Sequence, residues 1–407
     1  MKKLNLILIP FHDYKKWISE GFRTRDAHLF EHLKKHKAVG KVLVVNRPIS
    51  VAEMLWKRCN WKTNIGTVIH EEKDWRLVEV ENNIYYIDIF IKDFINVVVE
   101  KKAWWNTAFN NEKVIKYINK AVDIINMDNR CLILQSPMST GVIGKLNEDI
   151  VAFDAIDNWL HHPQMCNYKD LLEKNYNLID KKADVIFTVS ESLKSLFTYN
   201  RNVNWIANGV EIDYFSEAIN NMDKNKNKKA TIGYVGKIQE RVDFDLVEEC
   251  LKEFNDNEFI FLGPILAEKK RIDKLKAEYK NIKFLGDVHY SDLPKEMKNI
   301  DIAIIPHKVN EFTNSMNPLK LYEYLAAGKQ VITTEVAGTN GISKYVYESK
   351  DNKEFIKNIY KAISLCLKVE NLGVKVAADI NAEHTWKNKC NQIINLLLEK
   401  EDTNNYD

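Results

Sequence analysis

The sequence has little cysteine, glycine or proline and almost no net charge. Its 407 residues include 6 Cys, 14 Gly and 8 Pro, and 59 basic against 57 acidic side chains leave a net charge of +2. The low glycine and proline content excludes a collagen-like chain. The cysteines stand singly, without the CxxC pairs of a metal site, so reduced thiols are the simplest interpretation. The near-zero net charge gives no sign of a nucleic-acid partner. Any anion must therefore be bound by local clusters of basic side chains.

Long apolar runs are also missing. No uninterrupted stretch approaches the ~20 residues that a membrane-spanning helix needs, so we expect the protein to meet a membrane only from the side. The N-terminal run Leu4 to Pro10 is too short for a signal peptide and lacks a small-residue cleavage site; it predicts a buried strand of a cytoplasmic protein. At roughly 100–200 residues per domain, the length predicts two or three folded domains.

Short runs rich in Val, Ile and Leu alternate with stretches of helical periodicity. Continuous hydrophobicity is typical of strands covered on both faces, which predicts parallel sheets of βα units. Two series of runs predict two doubly wound α/β domains. The first series is Leu4 to Pro10, Val42 to Asn46, Leu132 to Gln135, Ile150 to Asp154 and Val185 to Val189; the second is Ile232 to Gly236, Phe259 to Gly263, Ile282 to Gly286, Ile302 to Pro306 and Val331 to Thr334.

Two further segments concern the domain organisation. Residues 220–229, NNMDKNKNKK, have too little apolar content to pack and predict a surface linker between the two series. The apolar, β-branched segment Ile84 to Val99 forms one strand or two in an N-terminal insertion, and the pattern does not decide between them.

The most informative stretch is NSMNPLKLYEYLAAG, which ends at Gly328. Pro318 suits the first turn of a helix, Asn317 before it is a good N-cap, and Gly328 is a natural terminator. A helix N-terminus attracts a phosphate, and Lys320 adds a full charge there. Glu323, one turn further on the same face, can accept two hydrogen bonds from a ribose diol. From spacing alone, a surface ion pair between Lys320 and Glu323 has equal weight.

The run PLKLYEYLAAGKQVITT resembles the donor-site signature of two-lobed GT-B glycosyltransferases of the broad group 1 class. IANGVEIDYF resembles the inter-lobe segment of that family, IGYVGKIQERVDFDLV its first strand and loop in the second lobe, and HTWKNKCNQIINLL the terminal helix that crosses back to the first lobe. The resemblance implies an α/β GT-B fold, in which two Rossmann-like, doubly wound parallel-sheet domains face each other across a cleft. The implied parts are an acceptor-binding domain (1–210), a linker (211–229), a nucleotide-sugar-binding domain (230–380) and a terminal segment (381–407).

In that family the lysine of the signature contacts the diphosphate and the glutamate holds the ribose of a nucleotide sugar. The resemblance therefore implies these roles for Lys320 and Glu323. It also implies that the strand-end glycine, Gly236, lets backbone approach a phosphate closely. The implied donor-site residues are Gly236, Lys237, Arg241, Ser315, Met316, Asn317, Leu319, Lys320 and Glu323.

The sequence departs from the family at two places. Ser315 stands where many relatives have a second glutamate near the sugar, and the nearest acid, Glu311, is out of register. Where relatives often have Arg after the strand-end glycine, this chain has Lys237, with Arg241 four residues on. Each of these two cations either meets phosphate or is a solvated loop charge.

Sugar transfer needs a base for the acceptor hydroxyl. VAFDAIDNWLHHP places Asp157 just after a predicted buried strand, at the edge where open α/β sheets hold ligands, so Asp157 is the expected base. An N-cap of a following helix is the equally weighted alternative, His161 or His162 is a substitute base, and Asp154 is expected to be structural. This segment resembles the paired-Asp segment of teichuronic-acid-type and related glucuronosyltransferases.

The loop HDYKKWISEGFRTRDAH follows the first predicted strand. Gly21, Arg23 and Arg25 in it are placed to reach a donor phosphate or an anionic acceptor, and Asp26 is a competing base.

His28, His32 and His36 recur every four residues and would share a helix face. No fourth ligand is evident, so a polar flank is favoured over a metal site, and no metal is expected. Trp beside Lys and Arg in MLWKRCNWK and KKAWWN suits the interface of an anionic membrane. Trp covering a core edge, with Lys outside, has at least equal weight.

The sequence therefore predicts a metal-independent glycosyltransferase without a cofactor, peripheral to an anionic membrane at the inner face of the cell membrane. The expected donor is a nucleotide-diphosphate sugar, a UDP sugar by preference, and the acceptor a glycan or lipid-linked saccharide in cell-surface polysaccharide synthesis. A sugar-nucleotide epimerase of the same fold is the alternative, and a two-lobed binding protein a third. A nicotinamide dehydrogenase is disfavoured because no GxGxxG follows a predicted strand.

Overall fold

The computed structural model describes residues 3–220, 229–336, 338–339 and 341–404. The chain divides into two compact units: the first comprises Met1–Ile206 and the chain from Cys390 onward, the second Ala207–Lys389. The predicted linker at 220–229 lies largely outside the described residues. Residues 211–219, also assigned to a linker, fold with the second unit, because Phe215 and Ala218 are fully buried in its core.

The first unit is built on a ten-stranded sheet. Its order is β10-β9-β8-β7-β1-β2-β6-β5-β4, and β3 pairs separately with β6. The five predicted strands of this series are all present, and β1 is buried along its whole length. The strands are β1 (Leu4–Ile9), β2 (Val39–Val45), β3 (Ile49–Ser50), β4 (Thr67–Glu72), β5 (Trp75–Glu81), β6 (Ile84–Ile91), β7 (Arg130–Leu134), β8 (Ile150–Ala155), β9 (Val185–Thr188) and β10 (Val203–Trp205).

Helices cover the parallel part of this sheet. The longer ones are amphipathic, and α6 begins where the side chain of Asn111 accepts a hydrogen bond from Lys113 N. The helices are α1 (Tyr14–Glu20), α2 (Arg25–Leu33), α3 (Val51–Lys57), α4 (Ile95–Glu100), α5 (Trp104–Phe109), α6 (Glu112–Ile124) and α7 (Lys169–Lys182).

The predicted strands of the first sheet pair in parallel, and one edge of the sheet, which the first series of runs did not cover, is antiparallel. Strand β5 pairs antiparallel with both β4 and β6. The sequence pattern missed β4 because this edge strand, TVIHEE, is largely exposed and polar. The segment Ile84 to Val99 forms one strand, β6, followed by α4.

The second unit has a wholly parallel six-stranded sheet in the order β13-β12-β11-β14-β15-β16. All five predicted strands of the second series are present. Its elements are α8 (Ile212–Phe215), β11 (Thr231–Val235), α9 (Phe244–Glu253), β12 (Glu258–Leu262), α10 (Lys269–Glu278), β13 (Ile282–Gly286), α11 (Leu293–Met297), β14 (Ile302–Ile305), α12 (Leu319–Ala326), β15 (Gln330–Thr334), β16 (Val346–Ser349), α13 (Asn352–Lys368) and α14 (Leu372–Asp379).

The last helix, α15 (Trp386–Asn404), begins in the second unit and belongs to the first from Cys390 onward. Within the first unit, Cys390 Sγ lies 3.6 Å from the carbonyl oxygen of Leu29 on α2. All six cysteines are free thiols. No helix among the described residues combines the length and apolar character that crossing a bilayer requires.

Candidate functional site

The strongest candidate site lies in the second unit, where β11 and β14 end next to α12. The carboxyl ends of parallel strands are the edge at which open α/β sheets bind ligands. Gly236 follows β11 with φ +127°, a conformation that favours glycine. A Cβ atom at this position would stand 2.8 Å from Lys320 Nζ, so the missing side chain makes room for the lysine head.

Lys320, in the first turn of α12, has a buried amine that forms no ion pair with any of the described residues. It is 9% exposed, and Nζ lies 3.7 Å from the centroid of the Tyr234 ring, a cation–π contact. Within the described residues, Nζ has no hydrogen-bond partner. Burial, and then the charge of Arg241, hold the pKa of Lys320 well below its usual value, against the opposing effect of Glu323. An anion bound beside Nζ would relieve this unfavourable state.

Two more nitrogens near Lys320 are buried and unpartnered among the described residues: Nε of Arg241 and Nδ1 of His307. Arg241 Nη1 lies 3.9 Å from Met316 Sδ, and His307 Nε2 lies 3.4 Å from the hydroxyl of Tyr234. Burial, followed by the charges of Lys320 and Arg241, holds the pKa of His307 well below its usual value. The cluster is therefore rich in donors and positive charge.

Glu323 lies one turn beyond Lys320 and is 8% exposed. Its carboxylate is hydrogen-bonded to Tyr290. Burial, and then the nearby Glu323 carboxylate, raise the pKa of Tyr290 well above its usual value. Tyr290 in turn stacks on Tyr214 with ring centroids 5.3 Å apart. Lys320 and Glu323 do not form the surface ion pair that spacing alone allowed, because both side chains are buried and Lys320 Nζ sits on an aromatic ring.

The N-terminus of α12 differs from the prediction by one residue. The helix begins at Leu319 with Pro318 as its N-cap, so the prediction that Asn317 caps it is wrong. Asn317 instead organises the preceding loop: Oδ1 accepts from Asn208 N at 2.7 Å, and Nδ2 donates to the hydroxyl of Tyr322 at 3.1 Å. The predicted end of the helix is confirmed, since Gly328 has φ +74° directly after Ala327.

The other predicted donor-site residues lie around this cluster. Ser315 is buried and donates its hydroxyl to the carbonyl oxygen of Phe312 at 2.7 Å, while Met316 packs beside Arg241. Leu319 and Lys237 are half-buried, and the carbonyl oxygen of Lys237 accepts the Tyr234 hydroxyl at 3.1 Å. The structure thus brings Gly236, Arg241, Met316 and Lys320 together.

Sequence reasoning missed two central side chains of this site, Tyr234 and His307. Their positions relative to the strands are the signal that could have found them. Tyr234 is a buried residue of β11, and His307 comes two residues after β14 ends. Tyr234 lies within the segment IGYVGKIQERVDFDLV, but that resemblance assigned roles only to Gly236 and the basic residues after it, and no motif included His307. Only the sheet topology places both side chains beside Lys320.

The prediction that Arg25 reaches a donor phosphate or an anionic acceptor is wrong. This side chain is 5% exposed and forms a bidentate pair with Asp154, with Nη2–Oδ1 at 2.8 Å and Nε–Oδ2 at 3.0 Å. It cannot reach out to a phosphate, because its guanidinium is already held by a buried carboxylate. Gln135 Nε2 completes the pair by donating to Asp154 at 3.0 Å, so Asp154 is structural, as predicted.

The neighbouring residues of that loop are also engaged. Arg23 pairs with Glu20, its Nε 3.2 Å from Oε2, and Gly21 with φ +74° ends α1. Asp26 is 2% exposed and accepts from the backbone N of His12 at 2.7 Å. Burial alone would raise the pKa of Asp26, but His12 and Thr24 lower it to about 2. Asp26 is therefore a buried structural carboxylate rather than a base that meets an acceptor directly.

Asp157 follows β8 and lines a cavity of the first unit of about 660 Å³. The alternative role as an N-cap is wrong, because the segment after Asp157 forms turns and the next α-helix, α7, begins only at Lys169. The two histidines of this segment differ: His161 is exposed, whereas His162 also lines the cavity.

The three histidines near α2 do not share one helix face. Helix α2 ends at Leu33, so His36 lies beyond it, while His28 is 5% exposed. Within the described ranges, no group of three or more His, Cys, Asp and Glu side chains has a metal-binding arrangement.

Comparison with known proteins connects these features to a family. Residues 210–364 match the family model described as glycosyl transferases group 1. TuaH of Bacillus subtilis (strain 168), assigned as a teichuronic acid biosynthesis glycosyltransferase, is 25% identical over 274 residues, which are 63% of this chain and 69% of TuaH.

Solved structures with the same fold cover nearly the whole chain. The alpha,alpha-trehalose 6-phosphate synthase from Burkholderia multivorans has a TM-score of 0.68 at 11% identity, over 99% of this chain and 100% of that one. Sucrose-phosphate synthase from Thermosynechococcus elongatus has 0.67 at 13% identity, with the same coverage. The catalytic domain of starch synthase IV from Arabidopsis thaliana has 0.66 at 10% identity, over 98% and 99%. The chain therefore has the GT-B fold of these structures, and its residues 210–364 match the group 1 glycosyltransferases.

Proposed function

We propose that the second unit binds a nucleotide-diphosphate sugar, with UDP as the expected nucleotide. This proposal depends on three nitrogens, one each on Lys320, Arg241 and His307, that are buried and have no partner among the described residues. Lysine has a flexible four-carbon stem, so Nζ can leave the Tyr234 ring and meet a diphosphate oxygen. The missing side chain at Gly236 leaves room for the same anion, and the dipole of the first turn of α12 attracts it.

The chemistry that follows is transfer of the sugar to a hydroxyl of a glycan or lipid-linked saccharide. Lys320 and Arg241 would stabilise the negative charge that develops on the leaving diphosphate, which supports a metal-independent reaction. Asp157 in the first unit is the proposed base for the acceptor hydroxyl. Glu323 would hold the ribose diol, a role that fits a buried carboxylate oriented by Tyr290.

The proposed setting is cell-surface polysaccharide synthesis at the cytoplasmic side of a membrane. The likeness to TuaH, which is assigned to teichuronic acid biosynthesis, supports the polysaccharide role. An exposed apolar patch on the first unit supports peripheral docking: Trp56 on α3 is 69% exposed, and Ile95 and Val99 on α4 are each 72% exposed. The exposed Lys57 and Lys101 flank this patch and suit anionic headgroups.

Only part of the predicted membrane clusters belongs to this patch. Trp104 is 2% exposed in a small core with Val97, Trp61 stacks on Phe90, and Trp105 is half-buried. Flotation with phosphatidylglycerol vesicles should therefore fall for Trp56→Ser but not for Leu266→Ser, an equally apolar exposed control in the second unit. Equal flotation of both variants would reject the docking patch.

Calorimetry tests the donor proposal. The wild-type chain should bind UDP and discriminate against 2′-deoxy-UDP, because Glu323 accepts from the ribose diol. Glu323→Gln should lose that discrimination, while Lys283→Met, an exposed control in the same unit, should keep it. Absence of UDP, ADP, GDP and CDP binding to the wild type would reject the proposal. An epimerase would convert a nucleotide sugar without any acceptor, which product analysis would reveal.

A further inference from the structure

The first unit contains a cavity of about 660 Å³, and most of the residues that line it were not predicted as site residues from the sequence. It lies at the carboxyl ends of β1 and β8, since Phe11 follows β1 by two residues and Asp157 follows β8 by two. This is the edge of a parallel sheet that ordinarily holds ligands. The lining combines aromatic rings, a histidine–aspartate pair and a surplus of basic side chains.

Three aromatic rings form one contiguous wall of the cavity. Phe11 stacks on Trp105 with centroids 6.0 Å apart and meets Trp159 edge-on at 5.2 Å. All three rings present flat apolar faces, and the two tryptophan rings also have an N–H donor at the edge. Trp105 Nε1 is buried and, among the described residues, has no hydrogen-bond partner. The wall therefore offers a stacking surface together with an unused donor, a combination that suits the apolar face and the oxygens of a sugar ring.

Beside this wall stands His12, whose ring is oriented by Asp26. His12 Nδ1 lies 3.3 Å from Asp26 Oδ2, and the same oxygen accepts from the His12 backbone N. A carboxylate next to Nδ1 favours the tautomer with hydrogen on that nitrogen, which leaves Nε2 as an acceptor for a hydroxyl. Glu53, 7% exposed, adds a second acceptor, because its Oε2 is buried without a partner in the described part of the chain.

The charges of the lining do not balance. Five basic side chains line the cavity against three acidic ones. One carboxylate, Glu53, serves two of the cations, with Arg47 Nη2 at 2.8 Å and Lys57 Nζ at 2.9 Å from the same oxygen. Lys102 Nζ donates to the amide oxygen of Gln164 at 2.7 Å. Because an amide oxygen is neutral, this hydrogen bond does not compensate the charge of Lys102. Positive charge in a partly enclosed cavity favours an anionic ligand.

We propose that this cavity binds the acceptor, and that the acceptor is an anionic saccharide. Its sugar faces stack on the wall of Phe11, Trp105 and Trp159, its hydroxyls meet His12 and Glu53, and its carboxylate or phosphate pairs with the basic side chains. This inference rests on the proposed glycosyltransferase function and names the substrate class of its first unit.

The proposed base lines the same cavity, which links binding to transfer. The acceptor hydroxyl oxygen forms a bond to the anomeric carbon of the donor sugar, and its proton passes to the carboxylate of Asp157. The bond between that carbon and the diphosphate oxygen breaks, and its electron pair leaves with the nucleoside diphosphate. Atoms and charge balance without a further reactant.

Calorimetry on the full chain tests the ligand class with three probes. Hyaluronan tetrasaccharide carries carboxylates, N-acetylglucosamine 1-phosphate carries a phosphate, and chitotetraose is a neutral saccharide of matched length. We expect at least one charged probe to bind about tenfold more tightly than chitotetraose, and the tighter of the two identifies the anion. Chitotetraose binding as tightly as both charged probes, or no binding of either charged probe, would overturn the proposal.

Variants locate the binding. Lys102→Met should weaken the charged probe about tenfold and leave chitotetraose unchanged. Trp105→Phe should weaken the charged probe, while Trp17→Phe should not; Trp17 is also buried in the first unit with an unpartnered Nε1 among the described residues, but it packs in the core against Phe30. Equal loss in both tryptophan variants would contradict the assignment of this cavity.

UDP affinity, measured on the same samples, separates the two proposals. If the wild type binds UDP but neither charged saccharide, the acceptor inference fails and the donor proposal stands. If the wild type fails to bind any nucleotide diphosphate, the proposed function itself fails. Each cavity variant should keep wild-type UDP affinity, and near-UV circular dichroism on the same samples shows whether its first unit is folded.

Discussion

Buried charges are treated differently in the two units. In the first unit, Arg25 faces Asp154, and Arg76 faces Asp88 with Nε–Oδ2 at 3.1 Å, each within a network of further hydrogen bonds. In the second unit, Lys320 is buried against an aromatic ring and Nε of Arg241 is unpartnered among the described residues. A paired buried charge holds a fold together, whereas an unpaired one is unfavourable until a ligand arrives. The contrast separates structural cations from candidate binding cations.

The largest expected effect concerns the paired charges. Asp154→Ala leaves the Arg25 guanidinium buried without its carboxylate and should reduce the free energy of unfolding by about 3–5 kcal/mol. Chemical denaturation measures this loss. The double variant Arg25→Met/Asp154→Leu should recover most of it, because a buried pair can be replaced by apolar side chains. A loss below about 1 kcal/mol for Asp154→Ala, the level of an exposed pair, would show that the pair is not structural.

Two buried lysines of the second unit sharpen the comparison. Lys329 is fully buried, but its Nζ donates to the Ala218 carbonyl oxygen at 2.9 Å and to Asn220 Oδ1 at 2.6 Å. Lys320→Met should weaken UDP binding about tenfold or more without loss of stability, since charged hydrogen bonds contribute about 1.5–3 kcal/mol each.

Lys329→Met should show the opposite pattern. It leaves two acceptors unsatisfied and should lower the unfolding free energy by about 1–3 kcal/mol, with UDP affinity unchanged. Calorimetry and thermal unfolding on both variants give the two quantities. If both variants lose stability to the same extent and neither loses UDP affinity, the distinction between the two lysines is refuted.

The smallest expected effect is the pH dependence of the first unit. The pKa of Asp26, about 2 in the folded chain, lies below its ordinary value of 3.8. Its contribution to stability, about 2 kcal/mol, is therefore present above about pH 5 and lost as the pH falls toward 2. Asp26→Asn should flatten the unfolding free energy between pH 5 and pH 3. An unchanged slope in that window would mean that His12 does not stabilise the Asp26 carboxylate.

Local patterns account for the parts of the fold that sequence reasoning predicted. Continuous apolar runs located the central strands of both sheets, and the NPLKLYE motif located Lys320 and Glu323. The missed parts depend on contacts between distant residues. Arg25 and Asp154 are 129 residues apart, and their pairing follows only once α2 and β8 are assembled. The Tyr234 ring under Lys320 and the pairing of His12 with Asp26 likewise require the topology.

The edge strands were missed for a different reason. Strand β4 is largely exposed on both faces, and β10 has only three residues, so neither has the long apolar run of a central strand. A continuous apolar run identifies a strand that is buried on both faces, and an exposed edge strand has no such run.

Proton uptake on UDP binding is the most direct measure of whether Lys320 receives a diphosphate. Burial holds the pKa of Lys320, which has no hydrogen-bond partner among the described residues, well below its usual value, and a bound diphosphate should raise it. Binding should therefore take up a proton at a pH between the lowered and the usual pKa. Calorimetry in buffers of different ionisation enthalpy, over a series of pH values below the usual pKa of lysine, measures that uptake. The account predicts net uptake in the wild type and its loss in Lys320→Met. No uptake across this range, or equal uptake in both proteins, would contradict it.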